Sequence, residues 1–311
     1  PYQYFPSKSA AITFIVFYGV STLLHLGQAA YYHMWWLIPT ACLCGLLEVI
    51  GWSGRLWSAF SPPLSSPFEM QITATIIAPT PLLAANFVIF GAIIQLLGTQ
   101  YSRLSPKWYT ILFCTCDVIS LVVQAVGGGK AATAAGTGED PTPRKIRMAY
   151  SFNSQGGNIM LGGIAFQLLV ITIYALCAME FYVRYARDWP VRKSPINKEN
   201  EAIPQPMTNK ISWMTAALVF STTCLFIRAV YRTIELSDGW GGRIIGTEVY
   251  FNALDGAMIT LAMYTINILH PGLLLGRGMG VEKEKTHPIP SSGVNSIREK
   301  NNNVDDNSTQ P

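Results

Sequence analysis

Seven apolar runs, each close to or beyond the roughly 20 residues that cross a hydrocarbon core, divide this chain of 311 residues. They lie near 10–31, 35–55, 71–98, 109–127, 157–183, 212–235 and 248–275. Lipid offers backbone groups no partners, so runs of this length are read as helices. Charged residues make up 13% of the chain, against about 25% in soluble domains, and most of them sit between the runs. The sequence therefore predicts an all-α membrane protein: one seven-transmembrane-helix bundle over 1–276 and a polar, Asn-rich, disordered tail at 277–311. The first two runs are joined by only a few residues around His33, which makes them an antiparallel hairpin. The first run is long enough to remain as a span and carries no cleavage signature of a signal peptide. The connections at 56–70, with Pro62, Pro63 and Pro67, and at 128–156, opening on glycines, are expected to be irregular.

Lys and Arg placement sets the expected orientation. The connections at 99–108 and 184–211 plus the tail hold thirteen of these residues, against seven on the other side. This bias puts the N-terminus outside and the C-terminus in the cytoplasm. The sequon Asn307-Ser308-Thr309 then falls in the cytoplasmic tail and is expected to be unmodified. A net charge of +4, dispersed along the chain, gives no footprint for nucleic acid. All six cysteines lie inside apolar runs, where they read as small buried hydrophobes. Cys42 and Cys44, like Cys114 and Cys116, are two apart and do not face each other on a helix.

Ionisable groups inside a span are costly and turn towards one another, a bundle interior or a cavity. Here they recur at helical spacing. Glu48 and Arg55 stand seven apart in the second run, and Asp117 and Gln124 repeat that spacing in the fourth. Arg228, Arg232 and Glu235 form one stripe in the sixth. Glu248 and Asp255 are seven apart in the seventh, with Tyr250 between them. Gln71 in the third and Gln167 in the fifth add amides. The near balance of acids and arginines points to an interhelical polar network, because uncompensated charges cost far more. Two roles fit it. It can pin helix register, although membrane hydrogen bonds average only about 0.6 kcal/mol, or it can line a polar cavity, for which Asp117, Arg228 and Asp255 are the deepest candidates.

Ala78-Pro79-Thr80-Pro81 interrupts the third run and frees backbone carbonyls at membrane depth. Gly156-Gly157 and Gly162-Gly163 permit close helix approach in the fifth. His25 and His270, taken with Asp117 or Glu48, would be the ligands of an intramembrane zinc hydrolase. No His-x-x-x-His or Cys-x-x-Cys pair supports one, and a histidine before Pro271-Gly272 reads as a helix cap. No Gly-Lys-Ser/Thr phosphate loop is present either. The chain is therefore read as non-enzymatic, without metal or cofactor.

In order, the chain carries Glu48-x-x-Gly51-x-x-x-Arg55; Gln71, Ala78-Pro79 and Ala84-Ala85; Asp117-x-x-Ser120-x-x-x-Gln124-x-x-Gly127-Gly128-Gly129; Gly157-x-x-x-x-Gly162 and Gln167. Arg228-x-x-Tyr231-Arg232-x-x-Glu235, Gly239, Glu248-x-Tyr250, Asp255 and His270-Pro271-Gly272 complete the set. This combination resembles the fungal RTA-like family of lipid-translocating exporters over about residues 2–276. It departs from the family pattern after Ala85, where Asn86-Phe87-Val88 and Gly91-Ala92 replace a Tyr and a Gly-Arg pair. The resemblance implies a multi-pass protein of the fungal plasma membrane whose partners are membrane lipids or lipophilic amphiphiles. It would handle sphingoid bases or sterol-like toxicants and give resistance to membrane stress. A seven-helix receptor or lipid stress sensor, docking partners on the 184–211 connection and the tail, is the alternative.

Overall fold

The computed structural model describes residues 4–61, 64, 66–135, 143–191, 206–238 and 242–276, with no strand among them. Seven helices are long and apolar enough to span a membrane. We number them α1 (Lys8–Tyr32), α2 (Trp35–Phe60), α3 (Ser66–Leu97), α4 (Pro106–Ala135), α5 (Pro143–Ala186), α6 (Asn209–Ser237) and α7 (Glu248–Leu274). The expected 277–311 tail with its sequon, and residues 192–205, lie outside the described residues. The membrane face where α1 begins, and where α2 and α6 end, is called the N-terminal face below.

Local chemistry sets the ends and breaks. Ser7 caps α1, its hydroxyl accepting from the Ala10 amide at 3.4 Å, as short polar side chains do at helix starts. α1 stops at His33, whose left-handed backbone (φ 56°) reverses the chain into α2 and makes the expected hairpin. Both proline- and glycine-bearing connections are shorter than expected. α2 runs on to Phe60 and α3 restarts at Ser66 with Pro67 in its first turn, where a missing N–H costs nothing. Gly127, Gly128 and Gly129 do not end α4, which continues to Ala135. Close packing against α5 at Gly127, where an added Cβ would strike the Met160 backbone, outweighs the poor helix propensity of glycine.

α3 is interrupted where the prolines predict, into Ser66–Ile77 and Pro79–Leu97. α2 and α7 each contain one π turn, at Ile38–Cys42 and Asn252–Gly256; such turns re-aim a side chain within a helix. The second carries Asp255. Gly256 accepts from Tyr18 Oη at 2.7 Å and lies against Trp52 and Phe14, whose stacked rings are 4.2 Å apart.

α4 and α5 pack closely through Gly163, whose carbonyl accepts from Ser120 Oγ at 2.6 Å. A Cβ there would lie 2.7 Å from Gln124 Cγ and 3.1 Å from the Ser120 carbonyl, whereas Gly162 has nothing within 4 Å. Only the second glycine of that pair is thus a packing glycine. Gly163→Leu is expected to cost about 1–3 kcal/mol as overpacking and Gly162→Ala to cost nothing and gain up to about 1 kcal/mol of helix propensity, compared by thermal unfolding in detergent. Towards the opposite face, Phe87, Phe90, Tyr109, Phe113, Tyr174 and Phe181 are buried with ring contacts of 4.7–5.9 Å. Edge-on aromatic packing makes this half of the α3–α4–α5 interior solid. The polar interior lies towards the N-terminal face.

Candidate functional site

The break in α3 organises the site. Pro79 has no N–H, so the Thr75 carbonyl four residues earlier loses its helical donor. Arg228 of α6 supplies one, its Nη2 lying 2.6 Å from that oxygen. Arg228 Nε donates to Asp255 Oδ1 at 2.8 Å. One turn on, Arg232 grips the same carboxylate through Nε (3.0 Å to Oδ1) and Nη2 (2.9 Å to Oδ2). Its Nη2 also reaches Thr75 Oγ1 at 3.0 Å, and its Nη1 reaches Glu235 Oε2 at 2.9 Å. Tyr231 Oη donates to the other Glu235 oxygen at 2.8 Å. Asp255 is fully buried and both arginines nearly so. The expected stripe 228–232–235 is therefore one continuous set of charge-assisted bonds tying α6 to α7 and to the proline break.

A second arginine centre lies next to it. Arg55 of α2 is fully buried. Its Nη2 donates to Glu248 Oε1 at 3.1 Å and Tyr4 Oη at 2.8 Å, and its Nη1 to Gln71 Oε1 at 3.5 Å. The Ser7 amide also donates to Glu248 Oε1 at 2.8 Å, so the residues before α1 close over this end. The Phe251 ring has the guanidinium of Arg55 at 4.7 Å and that of Arg232 at 5.0 Å, a cation–π arrangement. An open cleft with about 30 Å³ of room for water-sized groups lies between the two centres. Tyr4, Arg55, Gln71, Arg232 and Glu235 give it polar walls, and Ile72, Ile76, Met160 and Leu236 apolar ones.

Beyond the break, Gln167 Nε2 donates to Thr80 Oγ1 at 3.0 Å and its Oε1 accepts from Gln124 Nε2 at 3.2 Å; Gln124 also donates to Ser120 Oγ at 2.7 Å. A tight crevice of about 10 Å³ lies at this depth, lined by Pro79, Leu83, Gln167, Ile171, Leu225, Arg228 and Ala229. Arg228 stands on its wall and Arg232 on that of the cleft.

The twelve expected residues separate into groups. Arg55, Gln71 and Glu248 form one centre, and Arg228, Arg232, Glu235 and Asp255 the other. Gln124 and Gln167 form the amide chain. Asp117 joins none of these: it is buried, and neither carboxylate oxygen has a hydrogen-bond partner. Glu48 is fully buried and in no ion pair, with the Trp52 indole beside it and Asp255, Arg228 and Arg232 within electrostatic reach. Tyr250 is exposed. Asp117 therefore takes no part in the Arg228–Asp255 bonds that its depth suggested; those bonds join α6 to α7, and Asp117 stands on α4. His270 caps the last turn, Nδ1 accepting from Gly272 N at 3.0 Å. Among the described residues no three metal-ligating side chains come together. Thr75, Tyr4 and Phe251 were not anticipated. Thr75 was findable, since it stands four residues before Pro79; nothing in the sequence marked the other two.

The profile of the RTA1 like protein family matches residues 41–278. The chain is 28% identical to the sphingoid long-chain base transporter RSB1 of Saccharomyces cerevisiae, over 92% of this chain and 78% of that one. It is 22% identical to Protoporphyrin uptake protein 1 of the same yeast (91% and 95%) and 22% identical to yeast Protein RTM1 (70% and 62%). No solved structure matches. With three quarters of its length under the family profile and its motifs in order, the chain belongs to the RTA1-like family of multi-pass membrane proteins.

Proposed function

We propose that this protein moves sphingoid long-chain bases, or lipophiles of that shape, between membrane leaflets. The observation that carries this reading is the cleft between Arg55 and Arg232, polar on one wall and apolar on the other. A sphingoid headgroup presents an ammonium and hydroxyls. Glu235, Gln71 Oε1 and the Phe251 ring are acceptors for them, and the arginines hold those acceptors in place. Ile72, Ile76, Met160 and Leu236 suit the first carbons of the chain, with the rest remaining in lipid. The similarity to a yeast sphingoid base transporter supports the same substrate class. The Lys and Arg bias supports an outward-facing cleft, and in this reading protection against lipophilic toxicants follows from export at a fungal plasma membrane.

The test is reconstitution with a fluorescent sphingoid base whose leaflet is read by dithionite quenching. Wild-type protein is expected to speed leaflet exchange over empty liposomes. Glu235→Gln, which keeps the shape and removes the charge, is expected to slow it by about tenfold, the effect of losing roughly 1.4 kcal/mol of headgroup binding. No acceleration under any ion gradient sinks the transport reading and leaves the lipid sensor.

A further inference from the structure

The charges towards the N-terminal face do not balance. Four acids, Glu48, Glu235 and Asp255 buried and Glu248 part-exposed, meet three buried arginines, Arg55, Arg228 and Arg232. Every arginine is paired, with Glu248, with Asp255, and with Asp255 plus Glu235. Glu48 is the remainder: fully buried in α2 and in no ion pair, with the Trp52 indole of its own helix beside it as a donor. An ionised carboxylate buried in this way is among the costliest groups a helix can hold, and a leucine would pack there for nothing. Its surroundings on every side are Asp255 from α7, Arg228 and Arg232 from α6, Tyr18 from α1, and Cys44 and Trp52 from its own helix. A metal ion would need several oxygen ligands, and the described residues gather no such set here. A proton needs none.

We propose that Glu48 is a proton-binding site, loaded and emptied once in each working cycle, and that it couples lipid movement to a proton gradient. The coupling rests on the transport reading above; the proton site itself does not. With the proton on Glu48, both arginines stay on Asp255, as in this structure. When the carboxylate gives the proton up, it becomes a second acceptor beside Asp255 and draws Arg228 towards it. Arg228 also closes the Thr75 carbonyl at the proline break, so its departure releases the bend in α3. That helix lines the cleft with Gln71, Ile72 and Ile76, and the crevice with Pro79 and Leu83. One proton thus sets the shape of both the cleft and the crevice. Exchange of one proton for one cationic lipid is electroneutral.

Infrared difference spectra between acid and alkaline pH, taken on the purified protein, test the site directly. Wild type is expected to show the carbonyl band of a buried carboxylic acid. Glu48→Gln should lose it, and Asp117→Asn, which removes the other buried carboxylate in no ion pair, should retain it. Identical wild-type and Glu48→Gln spectra overturn the proposal. In liposomes the probe is N,N,N-trimethylsphingosine, whose fixed charge prevents it from following a pH gradient by its own titration. Wild type should accumulate it up to about tenfold per pH unit, the limit for one proton. Glu48→Gln should still exchange labelled for unlabelled probe without accumulating it. Gradient-driven accumulation by Glu48→Gln also overturns the coupling. Wild-type protein that moves no lipid removes the transport reading, while the spectra still decide whether Glu48 binds the proton.

Discussion

Asp255→Ala is expected to lower stability in detergent by about 3–5 kcal/mol, the usual result of stripping one partner from a buried ion pair. The reason is specific to this carboxylate, which holds Arg228 through one oxygen and Arg232 through both. Without it Arg228 keeps only the Thr75 carbonyl, and Arg232 keeps Glu235 and Thr75 Oγ1. Two guanidinium groups then have one hydrogen-bonded carboxylate, Glu235, in a low-dielectric interior, and Glu48 must give up its proton to supply a second. The expected fall in Tm is roughly 10 °C, read by thermal unfolding of purified protein. A companion variant separates strut from function. Replacing Arg228, Arg232 and Asp255 together by Met, Leu and Leu, with Glu235→Gln for the acid that loses Arg232, removes the charges as a set, and apolar replacements of buried ion networks recover stability elsewhere. If the network exists to hold helices, this combined variant is stable and still exchanges lipid. We expect it to be stable and to have lost exchange, because the arginines line the cleft and the crevice.

The helices were legible from the sequence because membrane spans obey one dominant rule, a minimum apolar length. Their ends were less so. Pro67 reads as a loop residue until it is seen in a first helical turn, and Gly127 reads as a terminator until Met160 is seen against it. The interior face was legible through the seven-residue spacing: Glu48 and Arg55, Asp117 and Gln124, and Glu248 and Asp255 each recur on one side of a helix. Spacing fixes which face a residue occupies and says nothing about which neighbouring helix meets it. Asp117 was therefore grouped with Arg228 on depth alone, and the network proved to exclude it. The partner of the freed carbonyl was decidable from Pro79 in principle, since the orphan must lie four residues back. That Arg228 would be the donor depended on the rotation of α6 against α3, which no single-helix pattern contains. Tyr4 lies before the first span and Phe251 looks like any lipid-facing aromatic, so their place beside Arg55 came only from the assembled bundle.

Pro79→Ala offers the sharpest separation of a packing kink from a working hinge. Alanine restores an N–H that can take the Thr75 carbonyl, completing the helical bond that proline removes. Proline in a helix interior costs about 3 kcal/mol, so the variant is expected to gain roughly 1–3 kcal/mol, less whatever Arg228 contributes at that oxygen. Arg228 would then keep Asp255 and lose its hold on α3. A straight, internally bonded α3 no longer reports the state of the arginine network to the cleft and the crevice. Lipid exchange is expected to drop at least about tenfold, equivalent to 1.4 kcal/mol on the slowest step, while Tm rises. Pro81→Ala is the matched control: it restores a bond to Ile77, whose carbonyl no arginine serves, so it should stabilise without slowing exchange. Equal effects of the two substitutions on exchange would reduce the break to a bend that fits the helix to its neighbours. A loss confined to Pro79→Ala identifies the Thr75 carbonyl as the point where the charge network acts on the helix.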